Sequence, residues 1–267
     1  MRLSEPAPGK LNLALHVRGR MPEGRHAIET IFAFCVDGDQ VEAELAEDIR
    51  LSVDGPFSHK LEGDEENLVL VAARRLAKAA GVREGAHLKL TKKLPVASGI
   101  GGGSADAAAA LRLLTRLWRI DPAHAESVAP QLGSDVPACL LSLAAKGEGA
   151  GDQLQLINLG LSESPVLLVN PGVALSTRDV FAGWDGVDHG PLEGWREGRN
   201  DLEPAARDLV PEIGEVLDWL AARPGARFVR MSGSGATCFA LFDDEAARDR
   251  AAACCPPNWW HLASFLR

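Results

Sequence analysis

Long apolar runs are missing from this chain. Its longest hydrophobic segments have the length of a β-strand, far short of the ~20 residues that a membrane-spanning helix needs. The segment from Met1 to Pro6 also lacks the apolar core of a secretory signal peptide. From these absences we expect a cytoplasmic protein without a membrane partner.

Positively charged residues are fewer than negatively charged ones. The chain has 28 Lys and Arg residues against 37 Asp and Glu residues, a formal net charge of −9 at pH 7. Proteins bind nucleic acids and anionic membranes mainly through Lys and Arg contacts to phosphate groups. A nucleic-acid partner is therefore disfavoured, and a phosphate-bearing ligand would need positive potential concentrated at one site.

Metal-ligand spacing is absent among the cysteines, which are Cys35, Cys139, Cys238, Cys254 and Cys255. The first three lie in apolar runs, where a reduced cysteine behaves as a small hydrophobic residue. This pattern indicates a reducing compartment. We assign no residue as a metal ligand.

The chain does have enough length to bury a sizeable core. Its 267 residues, 46% hydrophobic and 24% charged, are typical of one large globular domain or two modest ones. The segment 145–152 is rich in glycine and charge, which marks a candidate boundary. We predict an N-terminal domain over residues 1–152 and a C-terminal domain over 153–267.

A glycine-rich loop is the most informative segment. It reads Pro95-Val96-Ala97-Ser98-Gly99-Ile100-Gly101-Gly102-Gly103-Ser104-Ala105. A strand-like segment, 87–91, precedes the loop, and an alanine-rich helical pattern, 104–118, follows it. Glycine permits positive φ values, and a helix N-terminus adds unpaired N–H groups and a positive dipole end. The segment therefore predicts a phosphate site, the alternative being a flexible loop that caps the helix.

Two familiar phosphate loops do not fit. A Walker A loop has Lys after its last glycine, whereas Gly103 is followed by Ser104 and Ala105. A dinucleotide fold needs a second strand after the helix, but this chain continues into another helix-like stretch, 123–132. A dinucleotide-binding oxidoreductase is therefore disfavoured. We interpret Asp106, in the predicted first turn, as an acid favoured by the helix dipole.

Two further motifs flank the loop at a distance. The first, near the N-terminus, reads Pro6-Ala7-Pro8-Gly9-Lys10-Leu11-Asn12-Leu13. The second, near the C-terminus and between two strand-like segments, reads Ser232-Gly233-Ser234-Gly235-Ala236-Thr237. Each alone is typical of an ordinary strand or a tight turn. Together, and in this order, the three motifs resemble those of the GHMP kinases (galactokinase, homoserine, mevalonate and phosphomevalonate kinases).

Within that superfamily the chain resembles the 4-diphosphocytidyl-2-C-methyl-D-erythritol kinases of the non-mevalonate isoprenoid pathway. The similarity runs from about Pro6 to Phe242. Its additional matching segments are Gly24-x-His26, Glu66-Asn67-Leu68, Gly133-Ser134-Asp135-Val136-Pro137, Asn170-Pro171-Gly172-Val173 with Thr177 and Phe181, and Arg199-Asn200-Asp201-Leu202-Glu203.

The resemblance implies a two-lobed α/β (α+β) GHMP kinase fold, with an N-terminal lobe like domain 2 of ribosomal protein S5 and an active site in the cleft. It implies ATP as co-substrate, Mg²⁺, and a small-molecule substrate with a cytidine diphosphate moiety that is phosphorylated on its 2-hydroxyl. The alternative is a GHMP kinase acting on another small alcohol. We expect a monomer or a weak homodimer.

The resemblance also assigns roles near the phosphate donor. The residues implied to bind ATP are Asn67, Pro95, Val96, Ala97, Ser98, Gly99, Ile100, Gly101, Gly102, Gly103, Ser104 and Ala105. Lys10 and Asp135 would form the catalytic dyad, in which Asp135 removes the hydroxyl proton and the ammonium keeps that carboxylate ionised. Without the resemblance, Lys10 would be taken for a surface charge and Asp135 for a helix N-cap. Their retention disfavours a non-catalytic relative.

The residues implied to bind the other substrate are Asn12, Arg25, His26, Thr177 and Phe181. His26 would contact the cytosine edge and Phe181 would stack on the ring. The family usually has an aromatic residue, mostly Tyr, before this His, whereas the chain has Arg25 there and no Tyr anywhere. Because a planar guanidinium can stack on a base and also reach a phosphate, we expect Arg25 to take over that contact.

Overall fold

The structure is a computed structural model that describes residues 2–22, 24–61 and 66–267, except for the side chain of Lys60. Its strands are β1 (Arg2–Arg20), β2 (His26–Ala46), β3 (Ile49–Asp54), β4 (Gly85–Thr91), β5 (Ala145–Glu148), β6 (Gln153–Leu156), β7 (Pro165–Asn170), β8 (Ala226–Met231), β9 (Cys238–Phe242) and β10 (Trp260–Phe265). Its α-helices are α1 (Leu68–Ala80), α2 (Gly102–Trp118), α3 (Pro122–Val128), α4 (Val136–Leu141), α5 (Thr177–Ala182), α6 (Glu203–Leu209), α7 (Glu212–Ala221) and α8 (Glu245–Ala253). The described strands form two sheets, which confirms the predicted mixed α/β class.

The first of two compact units comprises residues 1–9, 37–96 and 101–142. In it, β4 pairs antiparallel with the second half of β2 and parallel with β3. Helix α1 begins after its N-cap Asn67 and ends at Gly81, whose φ of +67° suits a glycine cap. Its inner face is buried through residues with helical spacing, such as Val69 and Leu76. The alanine-rich helix α2 contacts α1, because small side chains allow close approach.

The second unit comprises residues 10–36, 97–100 and 143–267. Its four-stranded antiparallel sheet has the order β10-β7-β9-β8. Strands β7 and β9 are almost wholly buried and share a core with the apolar faces of α5, α6, α7 and α8. The first half of β2 pairs with β5, and β5 pairs with β6. The predicted strands around the Ser232–Thr237 turn are confirmed as β8 and β9.

Several predicted elements differ from the observed ones. Helix α2 begins two residues earlier than predicted, at Gly102. The apolar runs 28–36 and 41–45 predict two separate strands, but they are one continuous strand, β2. The candidate boundary 145–152 is the first part of the β5–β6 hairpin. The two compact units are interleaved along the sequence because β1 and β2 each contribute residues to both, so they differ from a single division at 152/153. Among the described residues, no helix combines the length and apolarity needed to cross a membrane.

Gly38 permits the closest approach of β1 and β2 in the first unit. A Cβ at this position would overlap the backbone of Ala7 and Pro8. We therefore expect Gly38→Ala to lower the free energy of unfolding by at least ~3 kcal/mol, since backbone atoms cannot yield as a flexible side chain does. Gly81→Ala is the control, because open space surrounds Gly81 and only its positive φ opposes a side chain, at ~1–2 kcal/mol. Equal losses in urea unfolding would contradict this prediction.

Candidate active site

The three sequence motifs meet in the second unit. The Lys10 N–H donates to the carbonyl oxygen of Ile100 over 3.0 Å. The Asn12 N–H donates to Ser232 Oγ over 3.2 Å, and that hydroxyl donates to the carbonyl oxygen of Gly99 over 3.1 Å. The first strand, the phosphate loop and the C-terminal turn are therefore joined by direct hydrogen bonds.

The phosphate loop packs against the C-terminal turn without room for a side chain. Gly99 has a φ of +78°, and a Cβ there would lie 2.5 Å from the carbonyl oxygens of Ser232 and Gly235. One residue away, the Thr237 N–H donates to the carbonyl oxygen of Ser98 over 3.1 Å. Only glycine satisfies both the backbone conformation and the spacing at position 99.

Lys10 is a buried cation, not a surface charge. It is 3% exposed, and its Nζ donates to Asn12 Oδ1 over 2.7 Å and lies 5.7 Å from the centre of the Phe32 ring. Asn12 Nδ2 in turn donates to Thr30 Oγ1 over 2.7 Å, and this hydroxyl donates to the carbonyl oxygen of Ala14. This chain of bonds fixes the Asn12 amide and, through it, the direction of the ammonium group.

The predicted ATP-binding residues differ in burial. The buried ones are Asn67, Pro95, Ser98, Ile100 and Ala105, and the exposed or half-buried ones are Val96, Ala97, Gly99, Gly101, Gly102, Gly103 and Ser104. Gly101 is the N-cap of α2 with a φ of +64°, and Gly103 is exposed in the first turn. The first turn of α2 thus presents backbone N–H groups that have no partner within the helix. Asn67 Oδ1 is already used, since it accepts the Val69 N–H over 3.0 Å.

Asp135 stands at the N-terminus of α4, in the first unit. It occupies the N-cap position, and its carbonyl oxygen accepts the Cys139 N–H. Its side chain, however, makes no capping hydrogen bond and is half-buried. Helix capping by its side chain therefore does not explain this aspartate.

An aromatic cluster includes two of the predicted substrate-binding residues. The rings of His26 and Phe181 are stacked, with centres 4.7 Å apart and planes at 26°. Trp184 meets His26 edge to face at 5.7 Å. Trp184 is a residue that sequence reasoning missed, although its place three residues after Phe181 was an available signal.

Two polar atoms of this cluster are buried without a hydrogen-bond partner among the described residues, namely His26 Nε2 and Trp184 Nε1. Burial, and secondly the Arg20 charge, lower the pKa of His26, so the imidazole is neutral at pH 7. A buried donor or acceptor left unpaired costs ~1–3 kcal/mol. A ligand that offered complementary atoms would recover that cost.

Two more of the predicted substrate-binding residues, Thr177 and Arg25, lie in the same unit. The exposed Thr177 shares a hydrogen bond of 2.9 Å with Ser234 Oγ, which ties the start of α5 to the C-terminal turn. Arg25 is half-exposed, and its Nη1 lies 3.6 Å from a carboxylate oxygen of Asp152. This ion pair holds Arg25 toward the turn of the β5–β6 hairpin.

A buried charge cluster lies in the first unit, and it corrects the interpretation of Asp106. Because α2 begins at Gly102, Asp106 is its fifth residue and lies beyond the first turn, where the helix dipole would favour an acid. It is 2% exposed, and its Oδ2 accepts from Lys92 Nζ over 2.7 Å. Lys92 Nζ also donates to Asp39. Burial, with Asp39 adding to it and Lys92 opposing it, raises the pKa of Asp106 to about 8. Burial opposes the charge on Lys92, but the two carboxylates outweigh it and raise the pKa of Lys92.

Family models match both parts of the chain. The model for the GHMP kinases N terminal domain matches residues 67–143, and the model for the GHMP kinases C terminal matches residues 189–261. The first match contains the phosphate loop and Asp135, and the second contains the Ser232–Thr237 turn.

Individual proteins are similar along almost the whole chain. The 4-diphosphocytidyl-2-C-methyl-D-erythritol kinase of Rhizorhabdus wittichii is 53% identical, covering 100% of this chain and 96% of that protein. The kinase of the same name from Hyphomonas neptunium is 46% identical, covering 99% and 96%. A crystal structure of 4-(cytidine 5'-diphospho)-2C-methyl-D-erythritol kinase superposes with a TM-score of 0.84 at 33% identity, covering 100% and 99%. Homoserine kinase from Cytophaga hutchinsonii, at 18% identity and a TM-score of 0.74, shares the fold.

We expect Asp106→Asn to stabilise the protein increasingly as the pH rises. The folded-state pKa of Asp106, about 8, lies above its unfolded value of 3.8. Between those values the unfolded chain releases the proton and the folded chain keeps it, so wild-type stability falls by up to ~1.4 kcal/mol per pH unit. Asparagine does not titrate, so the advantage of the variant should grow from pH 5 to pH 8 and level off above.

Urea unfolding of wild type and variants from pH 3 to pH 9 measures that difference. Asp54→Asn is the control of opposite sign, because hydrogen bonds from Lys89 and Thr91 lower the pKa of Asp54. Its variant should lose stability relative to wild type as the pH rises through the acidic range. A pH-independent difference for Asp106→Asn would show that Asp106 is ionised in the folded state.

Proposed function

The chain belongs to the GHMP kinase family, and on that premise we propose that it transfers phosphate from ATP to the 2-hydroxyl of 4-diphosphocytidyl-2-C-methyl-D-erythritol. It is an ATP-dependent small-molecule kinase. This step belongs to non-mevalonate isoprenoid precursor synthesis, and the cytidine diphosphate moiety of the substrate is what distinguishes it from the small alcohols of other GHMP kinases.

One observation carries the proposal: the hydrogen-bonded meeting of the three motifs at Lys10, Gly99 and Ser232. A strand, a helix-capping loop and a hairpin turn with purely structural roles would not need to pack this closely. A kinase does need such packing, because the triphosphate, the transferred group and the acceptor must be held in line.

Each chemical requirement of the transfer has a proposed residue. The N–H groups of Gly102 and Gly103, in the first turn of α2, and the positive end of the helix hold phosphate oxygens. The ammonium of Lys10, fixed by Asn12, offsets the negative charge that develops on the transferred group. Asp135, whose carboxylate does not cap α4, accepts the proton of the acceptor hydroxyl.

Mg²⁺ is expected with ATP, and the described residues provide few ligands for it. They contain no group of three or more His, Cys, Asp or Glu side chains that could hold a metal ion. The carboxylates of Asp39 and Asp106 are committed to Lys92. Mg²⁺ keeps several waters and prefers substrate phosphates with one or two protein oxygens, so we propose that it would come with ATP and that the Ser104 hydroxyl, in the first turn of α2, would help to hold it. When bound, it would neutralise phosphate charge.

The aromatic cluster is the proposed base-binding site. Phe181 and His26 offer ring faces, and a cytosine has both acceptor and donor atoms that can pair with the buried His26 Nε2 and Trp184 Nε1. Trp184 also adds a third ring to a site that lacks the aromatic residue usual at position 25. Asn12 and Thr177 are proposed to orient the substrate beside it.

Asp135→Ala tests the catalytic assignment. Because a general base acts on the acceptor and not on ATP, we expect kcat to fall ~10²–10⁴-fold. The ATP dissociation constant should stay within about twofold of wild type. Turnover with the cytidyl substrate and ATP binding by calorimetry are the measurements.

Asp121→Ala is the matched control for Asp135→Ala. The Asp121 side chain does cap its helix, α3, and lies on the surface of the same unit. Its replacement should reduce stability and leave kcat unchanged. Retention of more than half of wild-type turnover by Asp135→Ala would show the base assignment to be wrong.

Substitutions at Arg25 and Trp184 test whether base recognition depends on a positive charge or on an aromatic ring. Arg25→Tyr supplies the ring usual in the family and should lower the KM for the cytidyl substrate or leave it unchanged. Trp184→Ala removes a ring and should raise that KM about tenfold, since stacking contributes ~1–3 kcal/mol per base. The KM for ATP should not change in either variant. If Trp184→Ala leaves both values unchanged while another alcohol is phosphorylated well, the cytidyl specificity is wrong and only the kinase assignment stands.

A further inference from the structure

Three buried titratable side chains in the first unit have no part in the mechanism above. Asp39 lies on β2, Lys92 follows the end of β4, and Asp106 lies on α2. Their exposed fractions are 1%, 2% and 2%. They bracket the phosphate loop, because Lys92 precedes Pro95 by three residues and Asp106 follows Ala105 directly.

The carboxylate of Asp39 holds the chain just before the loop. Its Oδ1 accepts the N–H of Leu94 over 2.8 Å and also that of Lys93. Its Oδ2 accepts from Lys92 Nζ. Both oxygens of one buried carboxylate are thus occupied by the three residues that precede Pro95.

The ammonium of Lys92 continues this connection to the helix after the loop. Its Nζ donates to Asp106 Oδ2 over 2.7 Å. A Cβ placed on Gly102, the first residue of α2, would lie only 3.0 Å from the same nitrogen. The ammonium therefore lies against the first turn of α2, where the N–H groups have no partner within the helix.

Stability alone does not account for such a cluster. Burying ions costs several kcal/mol each, and apolar side chains of similar volume usually stabilise a core as well or better. The attraction of a buried ammonium for phosphate is also offset here by two neighbouring carboxyl groups. What the cluster offers over an apolar core is directed hydrogen bonds to the backbone on one side of the loop and to the helix on the other.

We propose that Lys92, with Asp39 and Asp106, is a positioning residue that fixes the two ends of the phosphate loop relative to each other, so that the N–H groups at the start of α2 are preorganised for the triphosphate. The proposal rests on the proposed kinase function. It predicts an effect on binding of the phosphoryl donor without an effect on binding of the acceptor.

The test compares two neighbouring lysines. Lys92→Met keeps the length of the side chain and removes its hydrogen bonds, whereas Lys93→Met removes an exposed charge one residue away. Because misplacing binding groups by ~1 Å can cost up to a hundredfold, we expect Lys92→Met to weaken ATP binding in calorimetry at least about tenfold. The KM for the cytidyl substrate should be unchanged, and Lys93→Met should bind ATP as wild type does.

Asp106 provides a conservative pair that a purely structural role would not separate. Asp106→Asn keeps an oxygen that can accept from Lys92, so ATP affinity should stay within about threefold of wild type. Asp106→Leu fills a similar volume without an acceptor and should lose affinity as Lys92→Met does. If Lys92→Met does not fold, Lys92→Met with Asp39→Asn removes both charges and keeps the Asp39 oxygen that accepts from Leu94.

Gly103→Val is the reference for a blocked phosphate site. A Cβ there would meet Leu68 Cδ1 at 3.5 Å, an ordinary contact, so the fold should persist while the phosphate position is occupied. If wild type and Gly103→Val bind ATP equally, the proposed function fails. If Gly103→Val loses ATP but a folded Lys92 variant keeps it within twofold, or Asp106→Asn loses as much as Asp106→Leu, the positioning role is wrong.

Discussion

The close packing of Gly99 against the Ser232–Gly235 turn is the contact on which the second unit's part of the site depends. It brings the middle of the phosphate loop to a turn more than a hundred residues away in sequence, with backbone against backbone. The Ser232 hydroxyl then joins Asn12 to Gly99, and the Asn12 amide directs the Lys10 ammonium. The position of the buried cation therefore follows from a spacing that only glycine permits.

Charge is distributed in this protein as its acidic composition requires. With a net charge of −9, the chain cannot attract phosphate through its overall field. At the candidate site, positive charge comes from the buried Lys10 and from the N–H groups at the start of α2, whereas the buried Lys92 is paired with two carboxyl groups. Local, partly buried donors are less screened by salt than a basic surface would be.

Local sequence patterns predicted those parts of the fold whose stabilising groups are close in sequence. The helical spacing of apolar residues over Leu68–Ala80, with Gly81 next as a C-cap, predicts helix α1, and the observed bounds are the same. The single strand β2 was predicted as two because the residues between 36 and 41 are polar. One of them, Asp39, stays in the strand because its partners are Lys92, Lys93 and Leu94, which no local pattern connects to it.

In the candidate site, too, features marked by a sequence pattern were predicted, and features that depend on distant segments were not. The three motifs and the stacked pair of His26 and Phe181 were found because a family pattern marks them. The burial of Asp106 and the contact of Trp184 with His26 were not found, since each depends on side chains from distant segments. An aspartate near a predicted helix start has the same local signature whether it faces water or a buried lysine.

The interleaving of the two units bears on how this gene could change. The chain passes from one unit to the other after residues 9, 36, 96, 100 and 142. No single cut yields a fragment that contains one unit whole and nothing of the other. Neither unit could therefore have been exchanged by a simple gene fusion, and the substitutions that alter one unit must accumulate in place, beside strands β1 and β2 that serve both.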